Sequence, residues 1–200
     1  MRLAVACLAC LLLSLPTVAR AQTNNQISYA AIMKAPVGAW ADYVMSKEGE
    51  AEKVNVRYTL VQRDAKHIAL EIDSKTPMGH MLMRLQFEPD GSKWKLSKAK
   101  VKVGSGDARD APMPPDDPSN VFGKADDFGK KIGHESVAAA GGKHDTNHFR
   151  RKTEGEDGAL ETDVWIDDKV FPVGLVKLTD GRGSKVELSG TGMGGTAQLK

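Results

Sequence analysis

The sequence predicts a mainly β (α+β) domain: a highly curved antiparallel sheet or partial β-barrel of roughly ten strands, covered by one or two short lid helices. Three observations predict it. Apolar residues recur at every second position through most of the chain after residue 38, the period of a half-buried strand. Asp-Gly pairs separate several of these runs, where a tight hairpin needs them. The composition, 40% apolar and 27% charged over 200 residues, is that of an ordinary folded domain and excludes collagen, coiled coil and long disorder.

The first 21 residues read as a cleaved signal peptide. Arg2 precedes an apolar run over residues 3–18, and Ala19-Arg20-Ala21 forms a small-x-small cleavage site. Its loss leaves residues 22–200 as a single domain and removes both Arg2 and Arg20. The 28 Lys and Arg then fall to 26, equal to the 26 Asp and Glu. A formally neutral surface carries no global field for nucleic acid. Cys7 and Cys10 lie in the leader, so the exported domain is expected to hold no thiol, disulfide or thiolate metal site. No later stretch approaches the roughly 18 apolar residues of a spanning helix. The expected product is periplasmic, with no transmembrane anchor.

A short helix is expected over residues 26–34, with Ile27, Ala30, Ala31 and Lys34 on one face and Pro36 beyond its end. Strands follow. Val54, Val56, Tyr58 and Leu60 share a face; Ile68, Leu70 and Ile72 repeat the pattern, as do Met81, Met83, Leu85 and Phe87. Ala99, Val101 and Val103 alternate with Lys98, Lys100 and Lys102. Leu160, Thr162, Val164 and Ile166, then Val186 and Leu188, complete the set. Asp90-Gly91, Asp157-Gly158 and Asp180-Gly181 mark hairpins. Between residues 104 and 120 the chain is too rich in Gly, Asp and Pro for a central strand. A second helix is expected to start at Pro118-Ser119-Asn120 and to carry Phe122, Ala125, Phe128 and Ile132 on one side. Gly123 and Gly129 each weaken it by about 1 kcal/mol, so it must dock, and it reads as a lid.

The motifs of common catalytic sites are missing. No serine sits in a G-x-S-x-G elbow, and no glycine-rich phosphate loop or dinucleotide fingerprint occurs. His134-Glu135 opens like a zincin motif, but Ala138 stands where its second histidine belongs. His144 and His148 would share a helix face, yet they lie in a segment that reads as strand. There, four residues separate them by roughly 13 Å, so solvent-facing histidines are expected and no metal site. Met78, His80, Met81 and Met83 are soft ligands, but Met81 and Met83 belong to the apolar face with Leu85 and Phe87. Core methionine or an adaptable cavity wall accounts for them. The row Lys98, Lys100 and Lys102, with Lys93 and Lys95, reads as a solvated face that discourages edge pairing. Its functional counterpart is a rim for anionic headgroups or an acidic partner. The acidic residues Asp107, Asp110, Asp116 and Asp117 lack the spacing of a calcium loop. Trp40, Tyr43 and Trp165 read as core or interface anchors.

The chain resembles a group of exported Gram-negative proteins in its leader, its short first helix, the opening Gly38-Ala39-Trp40-Ala41-Asp42-Tyr43 and a late hairpin. That hairpin runs Asp163-Val164-Trp165-Ile166 to Pro172-Val173-Gly174-Leu175-Val176-Lys177. In architecture it is similar to the LolA-like periplasmic lipoprotein and lipid carriers. The resemblance implies a curved sheet wrapped around an apolar cavity that short helices close.

The functional expectation is therefore a non-enzymatic periplasmic carrier or binding protein for a lipid, acyl chain or lipoprotein, needing no cofactor. Its physical motive is more apolar strand face than two short helices can cover. The candidate ligand-binding residues are Val56, Tyr58, Leu70, Met81, Met83 and Leu85 on strands, with Phe122 and Phe128 on the lid. The alternative is an envelope interaction or assembly module whose sheet is filled by its own side chains and whose edges dock another protein. A third reading, a metal-binding protein or hydrolase, would use His80, His134, His144 or His148.

Overall fold

The computed structural model describes residues 27–77, 79–91, 93–111, 122–155 and 158–199. The expected leader, Met78, Asp116, Asp117, the start of the expected second helix and Asp157 lie outside them.

The chain forms β1 (Ile27–Ser28), a helix α1 (Tyr29–Lys34), then β2 (Trp40–Lys47), β3 (Val54–Arg63), β4 (Ile68–Thr76), β5 (Gly79–Asp90), β6 (Lys93–Val103) and β7 (Arg109–Asp110). After these come β8 (Phe122–Gly123), a 3-10 turn (Ala125–Phe128), β9 (Lys130–Ala139), β10 (Gly142–Gly155), β11 (Gly158–Ile166), β12 (Leu175–Asp180) and β13 (Ser184–Gly192). Eleven strands make one antiparallel sheet in the order β7-β6-β5-β4-β3-β2-β13-β12-β11-β10-β9, and β1 pairs parallel with β8 beside it. The sheet is thus two meanders joined where β2 meets β13, Tyr43 opposite Leu188 and Met45 opposite Val186. It does not close, since β7 and β9 are both edges. The β9–β10 turn nevertheless reaches back to the middle, where the Ala140 amide donates to the Leu188 carbonyl at 3.3 Å.

Alternation sorts the two faces. The inner face carries Tyr43, Leu60, Ile68, Leu70, Phe87, Phe149, Val164, Leu178, Val186 and Leu188 into a single core. α1 lies on this core. Its cap is Ser28, whose hydroxyl accepts from the Ala31 amide at 3.3 Å, and it buries Ala31 and Ile32. Six residues cannot hold a helix unaided; tertiary burial holds this one. The expected start at residue 26 moves inward because Ile27 and Ser28 are taken up in pairing with Phe122 and Gly123.

The second expected lid helix is not formed within residues 122–132. Phe122 belongs to β8, Phe128 ends the four-residue 3-10 turn, and Ile132 stands on β9 with 44% of its surface exposed. Gly129 explains the break. Its φ is +108°, and a Cβ there would come within 2.5 Å of the Arg150 carbonyl oxygen, so the chain turns sharply against β10 instead of continuing a helix. Phe122 and Phe128 still reach the core, one against Phe87 with centroids 4.7 Å apart and the other against Phe149 at 5.7 Å.

The last residues cross the outer face as a strap. Trp40 Nε1 donates to the Met193 carbonyl, the Gly195 amide to the Gly38 carbonyl, and the Gln198 and Leu199 amides to the Glu71 carboxylate at 2.6 and 3.1 Å. Leu199 is 2% exposed. This explains why Thr59 and Glu71, polar residues on the outward face, are buried.

Candidate functional site

The register brings six of the eight candidate residues onto one face. Val56 is opposite Ser74 and Tyr58 opposite Ile72; Leu70 is opposite Leu85, Ile72 opposite Met83 and Ser74 opposite Met81. Directly opposed residues project to the same side of a sheet, so β3, β4 and β5 present one apolar surface. Burial along it is graded. Phe87 is fully buried and Leu85, Met83 and Met81 are half-buried, while Val103, opposite Met81, is 53% exposed. Val56, Leu70, Phe122 and Phe128 are buried in the core, so they pack the protein itself. Tyr58, Met81, Met83 and Leu85 keep surface to offer.

Two aromatic hydroxyls stand beside this strip. Tyr43 is buried, donates to the Leu175 carbonyl at 2.8 Å and meets Tyr58 edge-on at 5.7 Å. Burial, with the negative charge that Tyr58 and Asp42 can carry, pushes its hydroxyl well above the ordinary value. Tyr58 is half-buried as a residue, but protein surrounds its phenol, and desolvation raises it to about 12. Both are neutral donors at ordinary pH.

Among the described residues, a hollow of about 190 Å³ lies between the start of α1 and β10, bordered by Ser28, Lys124, Phe128, Asn147 and Asp168. A second, of about 180 Å³, lies on the outer face among Asp42, Asn55, Arg57, Asp73 and Lys75. Both are smaller than the roughly 300–1,000 Å³ of ordinary small-molecule sites. Tyr58, Met81, Met83 and Leu85 border neither hollow.

The histidines correct the sequence reading in one respect. His144 and His148 are on β10 as expected, but their side chains are only 15% and 14% exposed. His144 is tied to the Ala140 carbonyl at 2.9 Å and faces Asp167 at 3.5 Å. His148 lies between Glu135 and Asp163, each 2.9 Å from a ring nitrogen, and stacks on Trp165 with centroids 4.1 Å apart. Cross-strand neighbours on β9 and β11 bury these rings, which no spacing within β10 reveals. Trp165 donates to Glu135 at 2.7 Å and lies under Lys177 at 4.7 Å. Arg150 grips both oxygens of Asp163 at 2.8 and 3.2 Å. Burial raises the Asp163 carboxyl, but the Arg150 and His148 hydrogen bonds and charges overcome it and leave it lowered. This is a satisfied polar network, in which each ring nitrogen of His148 is engaged by a carboxylate oxygen. His134 pairs separately with Asp145 at 2.7 Å, and His80 with Asp73 at 2.7 Å.

The lysine row faces outward, Lys98, Lys100 and Lys102 alternating with inward Ala99 and Val101. Lys98 reaches Asp110 at 3.7 Å. Trp40 and Trp165 are half-buried and covered by cations, Arg57 over Trp40 at 4.2 Å. Sequence reasoning passed over Arg109. It is the sole cation between residues 104 and 120, and its strand pairing, Val101 opposite Arg109, brings it to the margin of the apolar strip. An isolated cation in an acidic loop was the available signal.

No family model matches the chain, and no curated protein matches it. Among solved structures, it is similar to the hypothetical protein CT021 from Chlamydia trachomatis, with a TM-score of 0.48 and 9% identity over 84% of this chain and 93% of that one.

Proposed function

We propose that this protein is a non-enzymatic binding protein or carrier of the periplasm, and that it takes a lipid, acyl chain or lipoprotein on the inner face of its sheet. One observation carries the reading: Tyr58, Ile72, Met81, Met83 and Leu85 form a contiguous apolar strip that the chain's own elements leave half-buried. α1 and the 3-10 turn cover the other end of the core, in keeping with a partial barrel whose short lids close one side. Methionine suits such a strip, because its unbranched, polarizable side chain adapts to a flexible ligand.

The test is to purify the protein from its native periplasm and examine it by native mass spectrometry, then titrate it with a fluorescent fatty acid. Bound lipid and saturable fluorescence are expected. A protein that arrives empty and takes up no fatty acid overturns the proposal.

A second reading is an envelope assembly module. Its support is that Phe122 and Phe128, expected to line a cavity, pack against Phe87 and Phe149 inside the core. Capture of one stoichiometric envelope protein by the lipid-free chain would favour it.

A further inference from the structure

The row that pairing builds across the apolar strip runs Arg109, Val101, Met83, Ile72, Tyr58, one residue from each of β7 to β3. Residues opposite one another stand on the same face, so Arg109 heads a row that is otherwise hydrocarbon and one phenol. The inner face formed by residues 56–60, 70–74, 81–85 and 99–103 turns no other charged side chain toward this row. Arg109 is exposed and makes no ion pair or side-chain hydrogen bond among the described residues. Its neighbour Asp110 is opposite Lys100, on the outer face, where Lys98 reaches it. Asp107, exposed two residues earlier, is the other acid close in sequence.

Length agrees with charge. Four strand spacings of about 4.8 Å separate Arg109 from Tyr58, or about 19 Å. An acyl chain spans one leaflet, half of a hydrocarbon core about 30 Å thick, so about 15 Å. A chain of that length laid along the row with its head at Arg109 would end near Ile72, three spacings or about 14 Å away, and Tyr58 would stand just beyond its tip.

We infer that the strip selects amphiphiles with a single long acyl chain and an anionic head, and that Arg109 is the head-group contact. This rests on the binding reading above. A planar guanidinium forms paired hydrogen bonds to carboxylate and phosphate alike, so the head is a singly acylated carboxylate or phosphate. A hydroxyl head offers a single uncharged acceptor in place of those paired, charge-assisted bonds.

The experiment titrates the full chain with palmitate, hexadecyl phosphate and hexadecanol, each displacing a fluorescent fatty acid. In the wild type both anions are expected to bind at least about tenfold more tightly than the alcohol. Arg109→Gln removes that gap and leaves hexadecanol affinity unchanged, since the exposed side chain supports no packing. A preference for one anion over the other assigns the head as carboxylate or phosphate. Equal affinity for all three in the wild type, or a gap that persists in Arg109→Gln, overturns the inference while leaving apolar binding intact. Binding of none of the three overturns the binding reading, and this inference with it.

Discussion

Glu71 shows how one side chain can hold a whole segment. It stands on the outward face of β4, 3% exposed, with Arg84 at 3.0 Å and the amides of Gln198 and Leu199 on its two oxygens. Removing one partner of a buried charged network costs about 3 kcal/mol. Glu71→Ala should lower unfolding stability in urea by that order and speed trimming of the tail by carboxypeptidase. An unchanged digestion rate would show that the strap is held elsewhere. The tyrosines set the alkaline limit. Tyr58 is raised to about 12 in the fold against about 10 unfolded. Its neutral form therefore supports stability fully below pH 10, and the support is lost as pH rises toward 12; Tyr43 shifts in the same direction. Tyr58→Phe, measured by chemical denaturation, should weaken the decline between pH 10 and 12. Asp163 acts at the other limit. Its folded value is lowered, so its contribution is present above about pH 4 and disappears as acid protonates it. Asp163→Asn should flatten the acid side of the stability profile, and an identical profile would remove Asp163 from the acid-sensitive set.

At the scale of elements, close approaches matter more than local propensity. The segment between β11 and β12 folds against the cap of α1, where the Ser28 amide donates to the Val173 carbonyl at 2.7 Å and its hydroxyl to Asp168 at 2.6 Å. Gly174 makes this possible. Its φ is +82°, and a Cβ would sit 2.6 Å from the Ser28 Cβ. Strained backbone and overlap together give Gly174→Ala an expected cost of about 3 kcal/mol, read as a lower urea midpoint with loss of the α1 contacts by amide exchange. The 3-10 turn and β9 teach the same lesson. Phe122, Ala125, Phe128 and Ile132 have helical spacing, but Gly129 must pass close to Arg150, and the aromatic rings reach the core from separate elements.

At the scale of the molecule, the two meanders share one core. Tyr43, Leu60 and Phe87 from one half pack in the same cluster as Phe149, Val164 and Leu188 from the other, and the β2–β13 seam joins them by hydrogen bonds. Neither half buries its inner face alone, so unfolding should be a single transition with calorimetric and van't Hoff enthalpies in agreement. Two separated transitions would mean that the halves are independent. The graded burial from Phe87 to Val103 also belongs to this scale, because it depends on which strands α1 covers and which it leaves open.

Alternation in the sequence was enough to mark most of the long strands and their inward residues, because side-chain direction along a strand follows from a period of two. β9 was missed, since Ile132 read as part of a helix, and Asp-Gly pairs marked only some of the turns. Alternation also placed Val56, Tyr58, Leu70, Met81, Met83 and Leu85 on one face. Four features were decided only by tertiary structure: the seam between the first long strand and the last, the burial of His148 between carboxylates from two other strands, the strap over Glu71, and the position of Arg109 at the head of an apolar row. Each depends on residues far apart in the chain meeting across strands. Register and curvature, which local patterns leave open, determine those meetings.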